Sequence, residues 1–293
     1  MKASVLINNY NYGQFLNACI DSVLHQVESD VEVIVYDDGS TDDSAERICA
    51  YGDEIKGILA ESFGKYPSYN QGRGIHQAFL QSKGDVIFLL DSDDVFHANK
   101  VSRVLQEFDA DPDVIMVQHK FREIDESGEP TGFIRNNILL PSNYLSAIQM
   151  TGRLECLFMQ TSALAFRRTY LDKVLPLPVE DEFEKVWPDV RLTRQAVFHG
   201  SIKTINTCLA DYRVHGSNDS DKVKDRAYFE SFLAQQYAFY NILAREFNKS
   251  RLDFKQGIRF ELIGKLKILL SMLLSKNSFS VKWSFIYRLA LRK

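Results

Sequence analysis

Three carboxylates stand within four residues, Asp91, Asp93 and Asp94, directly after the apolar run of residues 86–90. Like charges this close repel unless they share a positive partner. The economical partner is an oxygen-preferring divalent cation, Mg²⁺ or Mn²⁺, which commonly also holds a diphosphate. A second acidic pair, Asp37 and Asp38, follows another apolar run at 31–36. A carboxylate placed there can accept hydrogen bonds from a base N–H or a ribose hydroxyl. Both stretches also suit plainer work. Asp94 would open a helix at 98–108, and Asp42 or Asp43 would cap one starting at 44. Arg73, or Lys65, can reach a diphosphate or rest in solvent.

The elements that must position these groups follow from the apolar pattern. Short runs of Val, Ile, Phe and Leu read as strands buried on both faces. Strands are expected at 3–7, 31–36, 55–61 and 86–90, and helices at 15–26, 44–51, 74–82 and 98–108. Residues 62–72, rich in Gly and Pro, read as a loop. Strand and helix in alternation predict an α/β fold with a mostly parallel sheet flanked by helices. Ligands bind such sheets at the C-terminal ends of the strands, so both acidic stretches are aimed at one edge. The first turn, residues 8–13, is not G-x-G-x-x-G, so the dinucleotide fingerprint is missing. Farther on, strands are expected at 114–117, 121–124, 161–166, 201–205 and 209–214. Helices are expected at 144–150, 169–174 and 190–198, the last with Asp189 in its first turn. Residues 125–143 read as a mobile loop or insertion.

The 293 residues suit one large α/β domain with an appendage. Cys19, Cys49, Cys156 and Cys208 show no ligand spacing and read as reduced core residues of a cytosolic protein. The N-terminal apolar stretch is too short for a signal peptide, and no segment reaches the roughly 18 apolar residues of a membrane span. Charge is uneven. Residues 251–293 carry ten Lys or Arg against two acids, a local +8 that leaves −12 on residues 1–250 of a chain whose net charge is −4. That tail fits an anionic leaflet, or packing on the catalytic domain or on a second subunit in a homo-oligomer. It does not fit nucleic acid binding by the whole chain.

Taken in order, these motifs resemble the family-2 glycosyltransferases of the GT-A fold, a resemblance that spans residues 3–218 and points to a bacterial branch. S-V-L-I-N-N-Y-N-Y at 4–12 is similar to the family's opening strand. V-I-V-Y-D-D-G-S-T-D at 33–42 is similar to its nucleotide-binding motif, and F-L-L-D-S-D-D at 88–94 to its D-x-D motif. The segments T-S-A-L-A-F-R-R at 161–168 and Y-R-V-H-G-S-N at 212–218 complete the series. The resemblance implies a catalytic domain at 1–220, with a nucleotide-sugar half at 1–118 and an acceptor-side half at 119–220. It implies a helical, basic extension at 221–293. Asn8 and Tyr10 would flank the base and Asp38 would bind the uracil or ribose; Asp37, Arg73 and Asp93 join them as nucleotide contacts on the reading of the residues themselves. Asp91, Asp93 and Asp94 would supply metal ligands, with His215 completing the sphere. Asp189 would be the general base, with Asp181 as its rival. The position usually occupied by Asn near 76–77 holds His76-Gln77 here, a departure that touches the donor sugar.

The activity implied is inverting transfer from a nucleotide-diphosphate sugar, a UDP-sugar first, to a hydroxyl of a glycan or lipid-linked acceptor in cell-surface polysaccharide synthesis. It would take place in the cytoplasm or on the inner face of the membrane. A bound Mn²⁺ or Mg²⁺ stabilises the leaving diphosphate, and a carboxylate takes the acceptor's proton. Trp187 suits stacking on a sugar ring, or a place in the core. Two other classes fit part of the pattern. D-S-D-D-V superficially matches the nucleophile motif of haloacid-dehalogenase-like phosphatases, and a non-catalytic nucleotide or glycan binder needs no base at all.

Overall fold

The computed structural model describes residues 1–27, 30–62, 64, 66–135, 140–154, 157–179, 181–216, 218 and 225–253. Lys65, Cys156 and the basic stretch from 254 onward lie outside the described residues. The chain divides into two compact units, Met1–Asn143 with Leu157–His215, and Tyr144–Cys156 with Gly216–Lys293.

The first unit opens with β1 (Ala3–Asn9), α1 (Gly13–Leu24), β2 (Val31–Asp37), α2 (Ser44–Ala50), β3 (Lys56–Leu59), α3 (Pro67–Gln81) and β4 (Val86–Asp91). It continues through β5 (Val95–Phe96), α4 (Lys100–Ala110), β6 (Val114–Ile124) and β7 (Pro130–Arg135). It ends with β8 (Leu164–Arg167), α6 (Arg168–Val174), α7 (Pro188–Ala196) and β9 (Ser201–Arg213); α5 (Tyr144–Thr151) belongs to the second unit. One sheet runs in the order β3-β2-β1-β4-β8-β6-β9-β5, with β7 hydrogen-bonded to β6. The first four strands in that order are parallel, as are β6 and β9. Strand β8 runs antiparallel to both β4 and β6.

The central strands are apolar because both their faces are covered. Val5, Ile7, Val86, Phe88 and Leu90 share one core with Leu16, Cys19, Ile20 and Val23 of α1 and with Val101, Val104, Leu105 and Phe108 of α4. The alternate residues, Leu6, Ile34, Ile87 and Leu89, are equally buried. Helix α3 packs on β1 and β2, and Gly74 makes the approach tight. A β-carbon there would stand 2.6 Å from Asn8 Oδ1 and 2.8 Å from Tyr36 Cδ1.

Several elements differ from the expectations. Strand β1 continues through Asn8 and Asn9 instead of stopping at 7, because both neighbours pair with it there, Asn8 opposite Tyr36 and Asp91, and Asn9 opposite Asp37. Helix α3 starts at Pro67, seven residues before the expected 74. Pro needs no N–H in a first helical turn, so it begins this helix where it was read as a breaker. The expected loop at 125–143 contains β7, which folds back on β6 as a hairpin. The paired segments 114–117 with 121–124, and 201–205 with 209–214, are each one long strand. Register shifts between β6 and β9 absorb the polar residues that suggested breaks. Residues 118 and 119, the expected division between halves, both lie inside β6. Helix α4 begins at Lys100 without a side-chain cap, so Asp94 does not open it.

In the second unit, α8 (Arg226–Glu246) is capped by Asp225, whose carboxylate accepts from Tyr228 N at 2.7 Å. Tyr237 Oη donates to Gly152 O at 2.8 Å, and the Asn241 amide exchanges two hydrogen bonds with the Leu252 backbone. No helix among the described residues is long and apolar enough to cross a membrane.

Candidate active site

The strand register brings the polar residues together. Asn8, next to last in β1, lies between Tyr36 of β2 and Asp91 of β4, at the C-terminal edge of the parallel strands. Asp37 and Asp38 then divide their work. Asp37 is 2% exposed and accepts from Asn9 Nδ2 at 2.7 Å, Ser40 Oγ at 2.5 Å and Ser40 N at 3.0 Å. Its carboxylate is committed to the turn after β2. Asp38 accepts from Ser62 Oγ at 3.3 Å, while its other oxygen is buried without a partner. Burial pushes its carboxyl upward, against the hydrogen bonds of Ser62 and Asn70 and the nearby charge of Arg73. Gly39 makes this turn possible. Its φ is +73°, and a β-carbon would stand 2.7 Å from Ser62 N.

Unsatisfied polar atoms concentrate at this edge. Both side-chain atoms of Asn8, the Tyr36 hydroxyl, Asn70 Oδ1, Gln71 Oε1 and Ser92 Oγ are buried without a partner, in addition to Asp38 Oδ1. Each such group costs about 1–3 kcal/mol unless something bonds it, so this cluster reads as a ligand surface. Tyr10, just beyond β1, is 52% exposed at the same edge.

The acidic turn lies beside this cluster. Gln71 Nε2 donates to Asp91 Oδ1 at 2.8 Å. Asp93 Oδ2 lies 2.9 Å from His215 Nε2, and the His215 ring packs on Tyr12 and Phe15 with centroids 5.2 and 5.0 Å away. Asp94 turns the other way. It is 1% exposed and accepts from Arg213 N at 2.9 Å. Arg213 Nε holds the Asp93 carbonyl at 2.8 Å, and its Nη1 reaches the carbonyls of Asp125 and Glu126. Burial, then the charges of Asp93, Asp94 and Asp189, push the Asp91 carboxyl well above its ordinary range.

Asp189 therefore lies within electrostatic reach of Asp91. It occupies the first turn of α7 and accepts from Val190 N at 2.8 Å; burial raises its carboxyl too. Trp187, half-buried, precedes it at the helix start. Arg191 of the same helix is almost wholly buried. Its guanidinium binds the carbonyls of Pro178, Phe183 and Val186 and so holds the loop before the helix. Asp181 falls in a short 3-10 turn of that loop; its side chain lies outside the described residues. A cavity of about 220 Å³ adjoins α3, lined by Tyr69, Gly72, Arg73, His76 and the segment 176–179.

Asp93 and His215 are the two groups placed to share a cation. Among the described residues no three His, Cys, Asp or Glu side chains converge on one point. A carboxylate with an imidazole suits Mn²⁺ or Mg²⁺ when a diphosphate and water fill the other positions. The donor set fits a metal carried in with its nucleotide.

Gln71, Ser162, Lys100 and Arg213 were not singled out from the sequence. Arg213 had a readable signal. Asp211, Arg213 and His215 alternate at period two, which sends three polar side chains to one side as β9 ends. Gln71 had none, since its segment was read as a loop.

Comparison with known proteins agrees with this geometry. Residues 4–175 match the family model described as glycosyl transferase family 2. The uncharacterized glycosyltransferase alr2836 of Nostoc sp. is 37% identical over 225 residues, 75% of this chain and 66% of the relative. This chain spans just under two thirds of that relative, and 23% of the Rickettsia felis and Rickettsia conorii glycosyltransferases it matches. Among solved structures, S. aureus TarS 1-349 in complex with UDP aligns with a TM-score of 0.56 at 17% identity, covering 84% of this chain and 70% of that one. The mannosyltransferase PcManGT of Pyrobaculum calidifontis, in complex with GDP-Man and Mn²⁺, aligns with a TM-score of 0.58 at 13% identity, covering 99% and 80%. These likenesses establish the GT-A type of fold, and the family match sets the phosphatase reading aside. With the sheet, the acidic turn and the matched residues in agreement, this chain belongs to glycosyl transferase family 2.

Proposed function

We propose that this protein transfers a sugar from a nucleotide-diphosphate sugar, a UDP-sugar first, to a hydroxyl of a glycan or lipid-linked acceptor in cell-surface polysaccharide synthesis. The observation that carries this reading is the group of buried, unpartnered polar atoms around Asn8, Tyr36 and Asp38, within one helix of the acidic turn at Asp91 and Asp93. Solved relatives in fold include complexes with UDP, UDP-GlcNAc and GDP-Man, which supports a nucleotide-sugar as the occupant.

In this reading Asn8, Tyr10 and Asp38 bind the nucleoside, and Arg73 turns its charge toward the diphosphate. Asp37 shapes the turn that presents Asp38. Asp93 and His215 would hold Mn²⁺ or Mg²⁺, which when bound neutralises charge gathering on the leaving diphosphate. Asp189 accepts the proton of the attacking hydroxyl, and Trp187 offers a ring face to a sugar. Attack opposite the leaving group inverts the anomeric centre. Residues 1–220 are the catalytic domain in this reading. The stretch 251–293 is a basic extension that meets an anionic leaflet on the cytoplasmic side. Flotation of the intact chain with anionic vesicles, against a chain ending at Asn248, tests that contact; equal flotation removes it.

The test of the activity is release of nucleoside diphosphate from a panel of UDP-, TDP- and GDP-sugars with Mn²⁺. Turnover of at least one donor, lost in Asp189→Asn, is the expected result. Tight donor binding without turnover, with or without a glycan acceptor, would favour the non-catalytic binder.

A further inference from the structure

The face of the acidic turn that points away from the cleft is built from groups that no role above uses. Ser162 sits in the 3-10 turn Thr161–Ala163, immediately before β8, and is fully buried. Its hydroxyl accepts from Asp91 N at 3.0 Å and so holds the backbone of the first acid. Its own carbonyl accepts from Lys100 Nζ at 2.5 Å. Lys100 has no exposed surface, and its ammonium lies 3.2 Å from the Phe96 ring centroid. A lysine this deep is costly: burial pushes its amine well below the ordinary range, against the opposing charge of Asp94 nearby.

We propose that Ser162 and Lys100 are positioning residues that fix the backbone of Asp91 at the start of the acidic turn, while the Arg213 backbone claims Asp94, leaving Asp93 and His215 to bind the divalent cation. This rests on the metal-dependent reading of the site above. Asp94, 1% exposed, is already committed to the Arg213 backbone. Groups that orient metal ligands typically matter about 10–100-fold in metal affinity.

The experiment is titration of the intact chain with Mn²⁺ in the presence of UDP, against the same UDP without protein, following the free ion by its paramagnetic resonance signal. Ser162→Ala removes the hydroxyl that holds Asp91 N and should weaken Mn²⁺ by about tenfold or more. Ser162→Thr keeps the hydroxyl and should stay within about threefold of the parent on the same scale. A packing role predicts the opposite order, because Thr adds a methyl group where no space is exposed and Ala only removes an atom. Lys100→Met, an apolar residue of similar length among Phe88 and Phe96, should also weaken the ion, and it carries the test if Ser162→Ala does not fold. Asp93→Asn should abolish binding. Parent-like affinity in folded Ser162→Ala and Lys100→Met, or Thr falling below Ala, overturns the proposal. A parent chain that binds no Mn²⁺ overturns the metal reading itself, and this proposal with it.

Discussion

Two sides of the same acidic turn are built on opposite rules. Toward α3 and the ends of β1 and β2, buried polar atoms stand without partners: Asn8, Tyr36, Asp38 and Gln71. On the far side, around Asp94, Ser162, Lys100 and Arg213, donors meet acceptors at 2.5–3.0 Å. A folded chain tolerates the first arrangement only where something else completes it, and the second where the chain itself is the partner. The contrast marks a candidate binding surface off from scaffold without reference to any ligand, and it splits neighbouring aspartates between the two.

The comparison breaks most visibly at Asp189. Asp189→Asn should lower transfer about 10³-fold, the scale of a lost general base, while calorimetry finds nucleotide affinity within twofold. Near-normal transfer would remove Asp189 from its role. Asp37 and Asp38 sharpen the contrast next. Asp37→Ala abandons three hydrogen bonds to a charged acceptor and should cost about 2–3 kcal/mol in urea unfolding. Asp38→Ala removes a half-satisfied buried carboxylate, so stability should hold or rise while nucleotide affinity falls. Equal destabilisation by both would erase the distinction.

Two smaller effects concern the frame. Gly39→Ala forces a side chain into left-handed backbone against Ser62 and should cost about 1–2 kcal/mol in the same unfolding assay. Farther along, Asp211 accepts from His97 at 2.7 Å and from both arms of Arg122 at 2.7 and 2.6 Å. Burial alone would raise its carboxyl, yet these bonds hold it below the ordinary range. A depressed folded pKa stabilises above the unfolded carboxylate value and is lost as pH falls through the folded one. Asp211→Asn should therefore lower the melting temperature at pH 7, with the gap to the parent narrowing as the medium is acidified below pH 4. A gap that does not change with pH would contradict the ion-pair account.

The sheet and the edge where its acids gather were legible because apolar runs ending in acids carry both signals at once. Period and composition placed β1, β2 and β4, and the register did the rest. Gln71 and Ser162 were not legible. Gln71 reaches Asp91 across 20 residues of chain and the Ser162 hydroxyl reaches it across 71, and no local pattern encodes such pairings. The early start of α3 was hidden by Pro67, which breaks helices in their interior and begins them at the first turn. Asp94 was read with its neighbours because spacing cannot show that β9 comes up from the far side to claim it.

The most direct test is an equilibrium titration of UDP into the intact chain with Mn²⁺ present, repeated with Asp38→Ala and Asp93→Asn. Binding by the parent that weakens at least tenfold in both variants, without loss of their folded signal, is the predicted result. No binding of UDP, TDP or GDP, or binding indifferent to Asp38, would contradict the assignment of the unsatisfied edge to a nucleotide.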